Sequence, residues 1–502
     1  MNYPELQPHG RLIFATAAHS IFGIYADIQS IALNYLEVPL KPFLNQSFYQ
    51  HYGVALDPEG FSWLWSVTAA CNSFGILFTA LFVRSLMEGL GRKTTCMILR
   101  PFIGIVAAAL MVASKPFNSF EMFAAGHFLA GAGYTLKGVI LVYLAECSPD
   151  KFRGLITLTA GSLIYFLAML LATTLSLPVI AGNDEFWILL PAVSAIFALL
   201  HFCASFFLPP SPKHLYITKR AIYEARKAIK FYHGDRVDED HILHEYDHED
   251  RLASSHRAIS LREMLTTAHL RTPLLLCIVA SVAPSFSALN IRGQYSASML
   301  SSYGVPNDIL MLAMMGINLL PSPFCLLAPW LIERAGRRPL FLTCISLCLL
   351  EVGLLFTTQI VLDQNSGESS RTTIFLGLAG FLAGSFASVI GIVTIACILV
   401  SELCPQATRA TASQAIVIAP VILSLITVFL YPPAILNIGA YTFVPLLVME
   451  LLVMLVMYLF MPETRNLPVD VIVRKMMPRR GSIFLEDTVV PEDPFTTSYG
   501  SF

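Results

Sequence analysis

Several ionisable residues fall inside apolar stretches long enough to be helices, and they define the chemistry available. Asp27 and Lys137 carry opposite charges, His127 precedes Lys137 in the same stretch, and Arg292 stands two residues past Asn290. An isolated charge at bilayer mid-depth costs about 2.5–3.5 kcal/mol, so such groups face a partner or a polar cavity. Asp27 with Lys137 can form a structural ion pair, bind a polar solute, or, with His127 or Lys137 as the second group, exchange protons. Arg292 adds a cation suited to an anionic or zwitterionic solute, or else bonds a helix-end carbonyl or snorkels to the surface. Asn34 is a further candidate solute contact. Glu351 and Glu450 also lie deep in apolar runs; they call for polar partners or a bound proton, and no function is read from them.

A second chemical set recurs. Glu88-Gly89-Leu90-Gly91-Arg92-Lys93 is echoed by Glu333-Arg334-Ala335-Gly336-Arg337-Arg338, and Glu146-Cys147-Ser148-Pro149 with Arg153 is echoed by Glu402-Leu403-Cys404-Pro405 with Arg409. The motifs repeat at about half the chain length, the pattern of two like-oriented halves that rock about a central cavity. Glu88, Gly91, Arg92, Glu146 and Arg153 from one half, with Glu333, Arg334, Gly336, Arg337, Glu402 and Arg409 from the other, are expected to form a latch whose ion pairs join and separate as the cavity changes side. His244-Glu245-Tyr246-Asp247-His248 formally matches a zinc-protease pattern. Its flanks, Asp238, Glu239, Asp240, Glu249 and Asp250, make it a solvated charged face instead, so neither metal nor cofactor is expected. The chain contains no glycine-rich phosphate loop of the G-x-x-x-x-G-K type, which argues against direct coupling to nucleotide hydrolysis.

Positioning these residues falls to a membrane-embedded scaffold. Of 502 residues 55% are hydrophobic and 13% charged, which excludes a soluble enzyme, and a net charge of -2 gives no basis for binding nucleic acid. The ten cysteines fall in apolar runs or in segments read as cytosolic, so no disulfide framework is implied. Apolar runs cut at charges, prolines and glycines give twelve spans, the first six at about 12–36, 61–83, 94–114, 119–145, 155–180 and 187–208. The second six fall at about 272–300, 309–332, 340–362, 372–400, 410–433 and 441–461. The predicted fold is all-α: a bundle over 1–208, a charged linker of short helices over 209–271 without a core of its own, a second bundle over 272–461, and a polar tail over 462–502. Arg84, Arg92, Lys93, Lys151, Arg153, Arg334, Arg337 and Arg338 cluster in alternate loops, which the positive-inside rule makes cytosolic together with both termini. Asn45-Gln46-Ser47 falls on the opposite side as a glycosylation sequon.

The paired Gly-Arg and E-x-x-P-x-x-x-R loops, with Pro462-Glu463-Thr464-Arg465 after the last span and Pro209-Pro210-Ser211-Pro212-Lys213 after the sixth, resemble the sugar porter family of the major facilitator superfamily, and within it the animal facilitative glucose transporters. The resemblance covers about residues 10–470. It implies alternating access, with spans 1, 4, 7 and 10 lining the cavity, in a multi-pass protein expected in the plasma membrane. The family's span 7 pattern becomes Ser281 to Asn290, keeping the asparagine but neither glutamine; Gln294-Tyr295 replaces a double tyrosine, so the resemblance makes Asn290 and Tyr295 candidate solute contacts, while Gly161 stands near a sugar-binding glutamine and Val393 to Cys397 replaces P-x-P-W. The expected function is facilitative movement of a small polar solute: a sugar, a related polyol or an organic anion. The alternatives are a proton symporter using Asp27 with His127 or Lys137, and a non-transporting nutrient sensor.

Overall fold

In hydrocarbon a segment must satisfy its own backbone hydrogen bonds, and a helix does so within itself. The computed structural model describes residues 9–235, 237–255, 259–365, 367–404 and 406–463; for a few helical residues in these ranges, Glu333 among them, the side chain lies outside the described set. Of the tail expected over 462–502, only residues 462 and 463 are described. Span 1 consists of Gly10–Phe22 and Tyr25–Tyr35, and span 2 of Pro58–Gly89. Span 3 runs from Arg92–Thr94 through a π-helical turn, Thr95–Leu99, into Arg100–Ser114. Span 4 joins Phe120–Thr135 to Lys137–Cys147, span 5 is Asp150–Leu175 and span 6 is Leu189–Ala204. In the second half, span 7 joins Ala268–Phe286 to Leu289–Ser302, span 8 joins Asn307–Leu319 to Phe324–Ala335, and span 9 is Arg337–Gln364. Span 10 joins Arg371–Ile390 to Ile392–Leu403, span 11 is Gln406–Ile438 and span 12 is Val444–Phe460.

All twelve spans are present, in two bundles of six. Span 5 starts about one turn earlier than the hydropathy suggested, because Pro149 sets its first turn, and it stops before Pro178. Span 11 continues through Pro432 and Pro433 to Ile438. An unforeseen helix, Glu37–Tyr52, carries span 1 beyond the bundle and ends at Gly53 with φ +69. Asn45 is exposed on this helix, whereas the hydroxyl of Ser47 donates to the Asn118 carbonyl at 2.6 Å and accepts from the Phe120 amide at 2.9 Å.

Spans 1, 4, 7 and 10, the four that the resemblance assigns to the cavity, are all interrupted, and span 8 is as well. A break strands carbonyls of the preceding turn, which need new donors. In the first bundle Arg100 supplies them: its Nη2 donates to Gly23 O at 2.8 Å, at the break in span 1, and its Nε to Gly133 O at 2.9 Å, beside the break in span 4. Span 10 turns at Gly391, whose φ of +126 lies in the region that side chains avoid.

Close backbone approach holds spans 2 and 4 together. A Cβ on Gly75 would stand 1.9 Å from Phe128 O, and one on Gly131 would stand 2.0 Å from Asn72 O, so two glycines permit one crossing.

Between the bundles, the linker forms helices at Pro212–Ile217, Ile222–His233, Glu239–Ser255 and Leu261–Thr266. It has a small apolar cluster of its own, Ile229, Ile242, Leu243 and Tyr246, which its high charge had concealed. Arg226 to Asp240 at 2.5 Å and Lys230 to Glu239 at 2.8 Å fasten the two longer helices to each other. Tyr232 is fully buried against the first bundle and shares a 2.5 Å hydroxyl contact with Tyr143. His241, His244, Glu245 and His248 all lie on Glu239–Ser255, and no three potential metal ligands converge among the described residues.

Substituting Gly131→Ala forces a methyl into the Asn72 carbonyl. A cost of about 1–3 kcal/mol is expected for such overpacking, read as a lowered melting temperature in detergent, whereas Gly138→Ala, where nothing stands within 4 Å of the added methyl, does not lower it.

Candidate solute site and gates

The two bundles meet where the outer halves of spans 1 and 7 run side by side, on the face away from the linker. Asn34 bridges them. Its Nδ2 donates to Ser296 Oγ at 2.7 Å, Gly293 O at 3.2 Å and Arg292 O at 3.3 Å, and its Oδ1 accepts from Ala297 N at 3.1 Å. One turn further on, Glu37 accepts from the Ser298 hydroxyl, and Lys41 lies 2.5 Å from Glu37 and 3.1 Å from Ser298 Oγ. Trp63 of span 2 packs on Phe429 of span 11 with ring centres 5.5 Å apart. These contacts close that face.

Below the seal lies a hollow between the bundles, with room for water-sized groups over about 70 Å³. Its polar wall comes from Asn34 and Tyr35 of span 1, Tyr165 of span 5, Arg292 and Ser296 of span 7, and Asn318 of span 8. Asn318 Nδ2 donates to Tyr35 OH at 2.9 Å, a second contact between the bundles. Of the expected solute-contacting residues, Asn34 and Arg292 line the hollow. Asn290 is half-buried on the same turn as Arg292 and is absent from the lining. Tyr295 is turned away, packed at a tilt against Tyr431 with ring centres 5.4 Å apart and donating to Val428 O at 2.7 Å. The Arg292 guanidinium reaches span 10, where Nη1 donates to Phe381 O at 2.6 Å and Ser385 Oγ at 2.5 Å, and its Nε stands 3.4 Å from Glu351 of span 9.

Asp27 and Lys137 meet elsewhere, beside the breaks in spans 1 and 4. Their side chains form a direct ion pair, and Arg100 Nη2 lies 4.0 Å from the other oxygen of Asp27. Arg100 is fully buried and stacks over Tyr25 at 4.4 Å. His127, the other group considered for Asp27, is buried against Phe123, with ring centres 6.1 Å apart. Sequence reasoning passed over Arg100; a lone arginine before proline inside an apolar run was its signal. It also passed over Asn318 and Tyr165, polar groups within their spans.

The charged loops repeat their geometry in both halves. Gly91 has φ +87 and Gly336 φ +92, and each turns the chain so that the next arginine folds back. Arg92 Nε then donates to Glu146 Oε1 at 3.0 Å, and Arg337 Nε to Glu402 Oε1 at 3.0 Å. Each pair joins residues of one bundle. The remaining partners differ: Glu463 accepts from the Arg337 and Arg338 amides at 3.1 Å and 3.2 Å, whereas beside Arg92 stand His214, 3.2 Å from Nη1, and Ser211, which donates to Glu146 at 2.5 Å. Burial, then the Arg92 charge, pushes His214 below its ordinary pKa, so the neutral imidazole accepts from the guanidinium. Glu88 pairs with Arg84 at 2.8 Å on the exposed end of span 2, and Arg334 is exposed. Arg153 and Arg409 are half-buried beside these loops, with Arg409 Nε donating to Cys404 O at 3.0 Å. The Glu333 side chain is outside the described residues.

Among solved structures, the inward-open conformation of the xylose transporter XylE from E. coli superposes with a TM-score of 0.72 at 17% identity, covering 92% of this chain and 99% of that one. The proton:xylose symporter XylE bound to 6-bromo-6-deoxy-D-glucose superposes at 0.70 and 15% identity, over 93% and 99% of the two chains. These likenesses establish the major facilitator fold. Among curated proteins, facilitated glucose transporter member 9 of solute carrier family 2 from Mus musculus is 30% identical over 357 residues, 70% of this chain and 64% of that protein. The Homo sapiens member 9 is 30% identical over 436 residues, 85% of this chain and 78% of that protein. Member 2 from Sus scrofa is 30% identical over 64% of this chain and 61% of that protein, so with two of these relatives the match spans just under two thirds of their length. A family model described as Sugar (and other) transporter matches residues 30–475, from the first span to beyond the twelfth, and the chain belongs to that family.

Proposed function

We propose that this protein carries a small polar solute, sugar-like in class, across the membrane by alternating access, with the hollow between the bundles as its binding site. The observation that carries the reading is a hollow at the bundle interface, with amide, hydroxyl and guanidinium groups set among apolar side chains on its wall, beneath a seal made of side-chain hydrogen bonds. Bonds of this kind are worth about 0.5–1.5 kcal/mol each, strong enough to hold one state and weak enough to exchange within a cycle. Asn34, Arg292, Ser296 and Asn318 would meet the solute, with Asn290 and Tyr295 setting the position of the span 7 helix. The relatives named as glucose and xylose transporters support the sugar class, and the Arg292 cation extends it to sugar-like anions. Asp27, facing Lys137 and Arg100, ties spans 1, 3 and 4 together.

The linker face, with its arginine-rich loops, is the cytosolic one; both termini lie there, Asn45 faces outward as a glycosylation site, and the plasma membrane houses the protein. Glu88, Arg92, Glu146 and Arg153, with Glu333, Arg334, Arg337, Glu402 and Arg409, form the cytosolic gate around the turns at Gly91 and Gly336. The Arg92–Glu146 and Arg337–Glu402 pairs are its resting contacts and exchange for contacts between the bundles when that face closes.

Uptake by reconstituted proteoliposomes from a panel of hexoses, polyols and organic anions tests this reading: selective, saturable flux of at least one solute is expected, and no flux of any contradicts it. Arg337→Ala and Arg92→Ala each lower initial uptake several-fold while leaving solute binding measurable. Breaking the seal gives a structural readout. In a Met314→Cys background, on the wall of the hollow and outside the seal, Asn34→Ala speeds labelling by a membrane-impermeant thiol reagent from the sealed face about tenfold, the equivalent of about 1.4 kcal/mol; an unchanged rate would show that Asn34 does not hold that face shut.

A further inference from the structure

Glu351 of span 9 and Glu450 of span 12 are fully buried, and among the described residues none of their four carboxylate oxygens has a hydrogen-bond partner. Burying a carboxylate in that way demands a compensating charge or a proton. The fold makes room for Glu351: a Cβ on Gly384 of span 10 would stand 2.0 Å from its carboxylate. Arg292, 3.4 Å from Glu351, is the cation in contact with it. Glu450 lies within electrostatic reach of Glu351, and Cys348 of span 9 within reach of both. Span 10 presents Ser385 and Ser388 to the Arg292 guanidinium, and Ser287 of span 7 faces Cys348. Two carboxylates against one guanidinium leave one negative charge over, and one bound proton brings the group to neutrality.

Arg292 has a second set of contacts. Its backbone carbonyl accepts from Asn34 in the seal between the bundles, and its side chain is on the wall of the hollow. One residue thus touches the carboxylate pair, the solute space and the seal. We propose that Glu351 and Glu450 together bind one exchangeable proton, and that Arg292 links its occupancy to opening of the sealed face, so that solute movement is coupled to protons through the second bundle. The proton comes from water on the side to which the hollow is open and adds to a carboxylate oxygen; the O–H bond breaks again, releasing the proton to water, after the hollow has changed side. A proton on Glu351 weakens its hold on the Arg292 guanidinium, which pivots toward the hollow and draws the span 7 helix away from Asn34 while its charge still offsets the carboxylate left on Glu450. This inference rests on the transport reading above, and its tests separate the two.

The proton site is tested on the purified full chain in lipid nanodiscs by infrared spectroscopy across a pH titration. A carbonyl stretch of a buried protonated carboxyl is expected to fade as pH rises and to be missing from both Glu351→Gln and Glu450→Gln, each of which reaches neutrality without a proton. No such band, or a band that persists in both variants, overturns the site whether or not the protein transports. Linkage is tested in proteoliposomes with radiolabelled D-glucose and D-glucuronate as probes. An inward proton gradient is expected to raise accumulation of a transported probe by up to about tenfold per pH unit, as one proton per solute allows. Both Gln variants lose that response while retaining exchange at equal solute concentrations, and Asp27→Asn lowers the rate but keeps the response. Flux indifferent to the gradient in wild type, or a response lost only in Asp27→Asn, overturns the linkage and leaves transport standing. No flux of either probe overturns the linkage for sugars and sugar acids alike.

Discussion

Hydrocarbon supplies no hydrogen bonds, and that constraint governs what this chain does with its interrupted helices. Spans 1 and 4 break beside the molecular centre, and each break releases carbonyls that must find donors inside the protein. Arg100 answers both breaks with one guanidinium, and the Asp27 carboxylate stands between that guanidinium and the Lys137 ammonium, one anion against two cations. The cluster costs desolvation, so its worth lies in fixing three spans in one arrangement rather than in net ion-pair energy. The second bundle meets the same need differently. Gly391 turns span 10 with a left-handed backbone, and Arg292 of span 7 fastens to Phe381 O and Ser385 within the outer half of that span.

Because the breaks are supported, each bundle can move as a unit. The interface between the outer halves of spans 1 and 7 then consists of side-chain amide, hydroxyl and ammonium contacts, which can exchange with water or solute, above a hollow whose wall carries the same kinds of group. Rigid bundles with a reversible seam between them are the physical content of alternating access.

The sequence made the scaffold legible and the contacts much less so. Twelve apolar runs, the duplicated loops and their arginines mark spans, repeats and turns, because helix formation in lipid depends on local composition. Partners are a different matter. Arg92 was readable as a gate residue, but its pairing with Glu146 inside one bundle depends on Gly91 folding the chain back, a conformation that spacing alone does not reveal. Asp27 was visible as a charge in need of a partner, and Lys137 was among the groups considered; Arg100 lay hidden in an apolar run that read as an ordinary span. Tyr295 was expected to face the solute because it half-matches the family's double tyrosine, yet the helix rotates it toward Val428. The linker's small core escaped notice because four apolar residues are outweighed by its charges.

The central claim is that the two bundles rock about one hollow. Pulsed electron resonance on the full chain in lipid, with spin labels at exposed positions after reactive cysteines have been removed, measures this directly. One pair at Val54 and Tyr441 reports the sealed face, and a second pair at Leu90 and Ala335 reports the linker face. Opposite changes are predicted, the first distance lengthening in the population in which the second shortens. Distances that stay fixed at both faces, or lengthen together, would contradict the account.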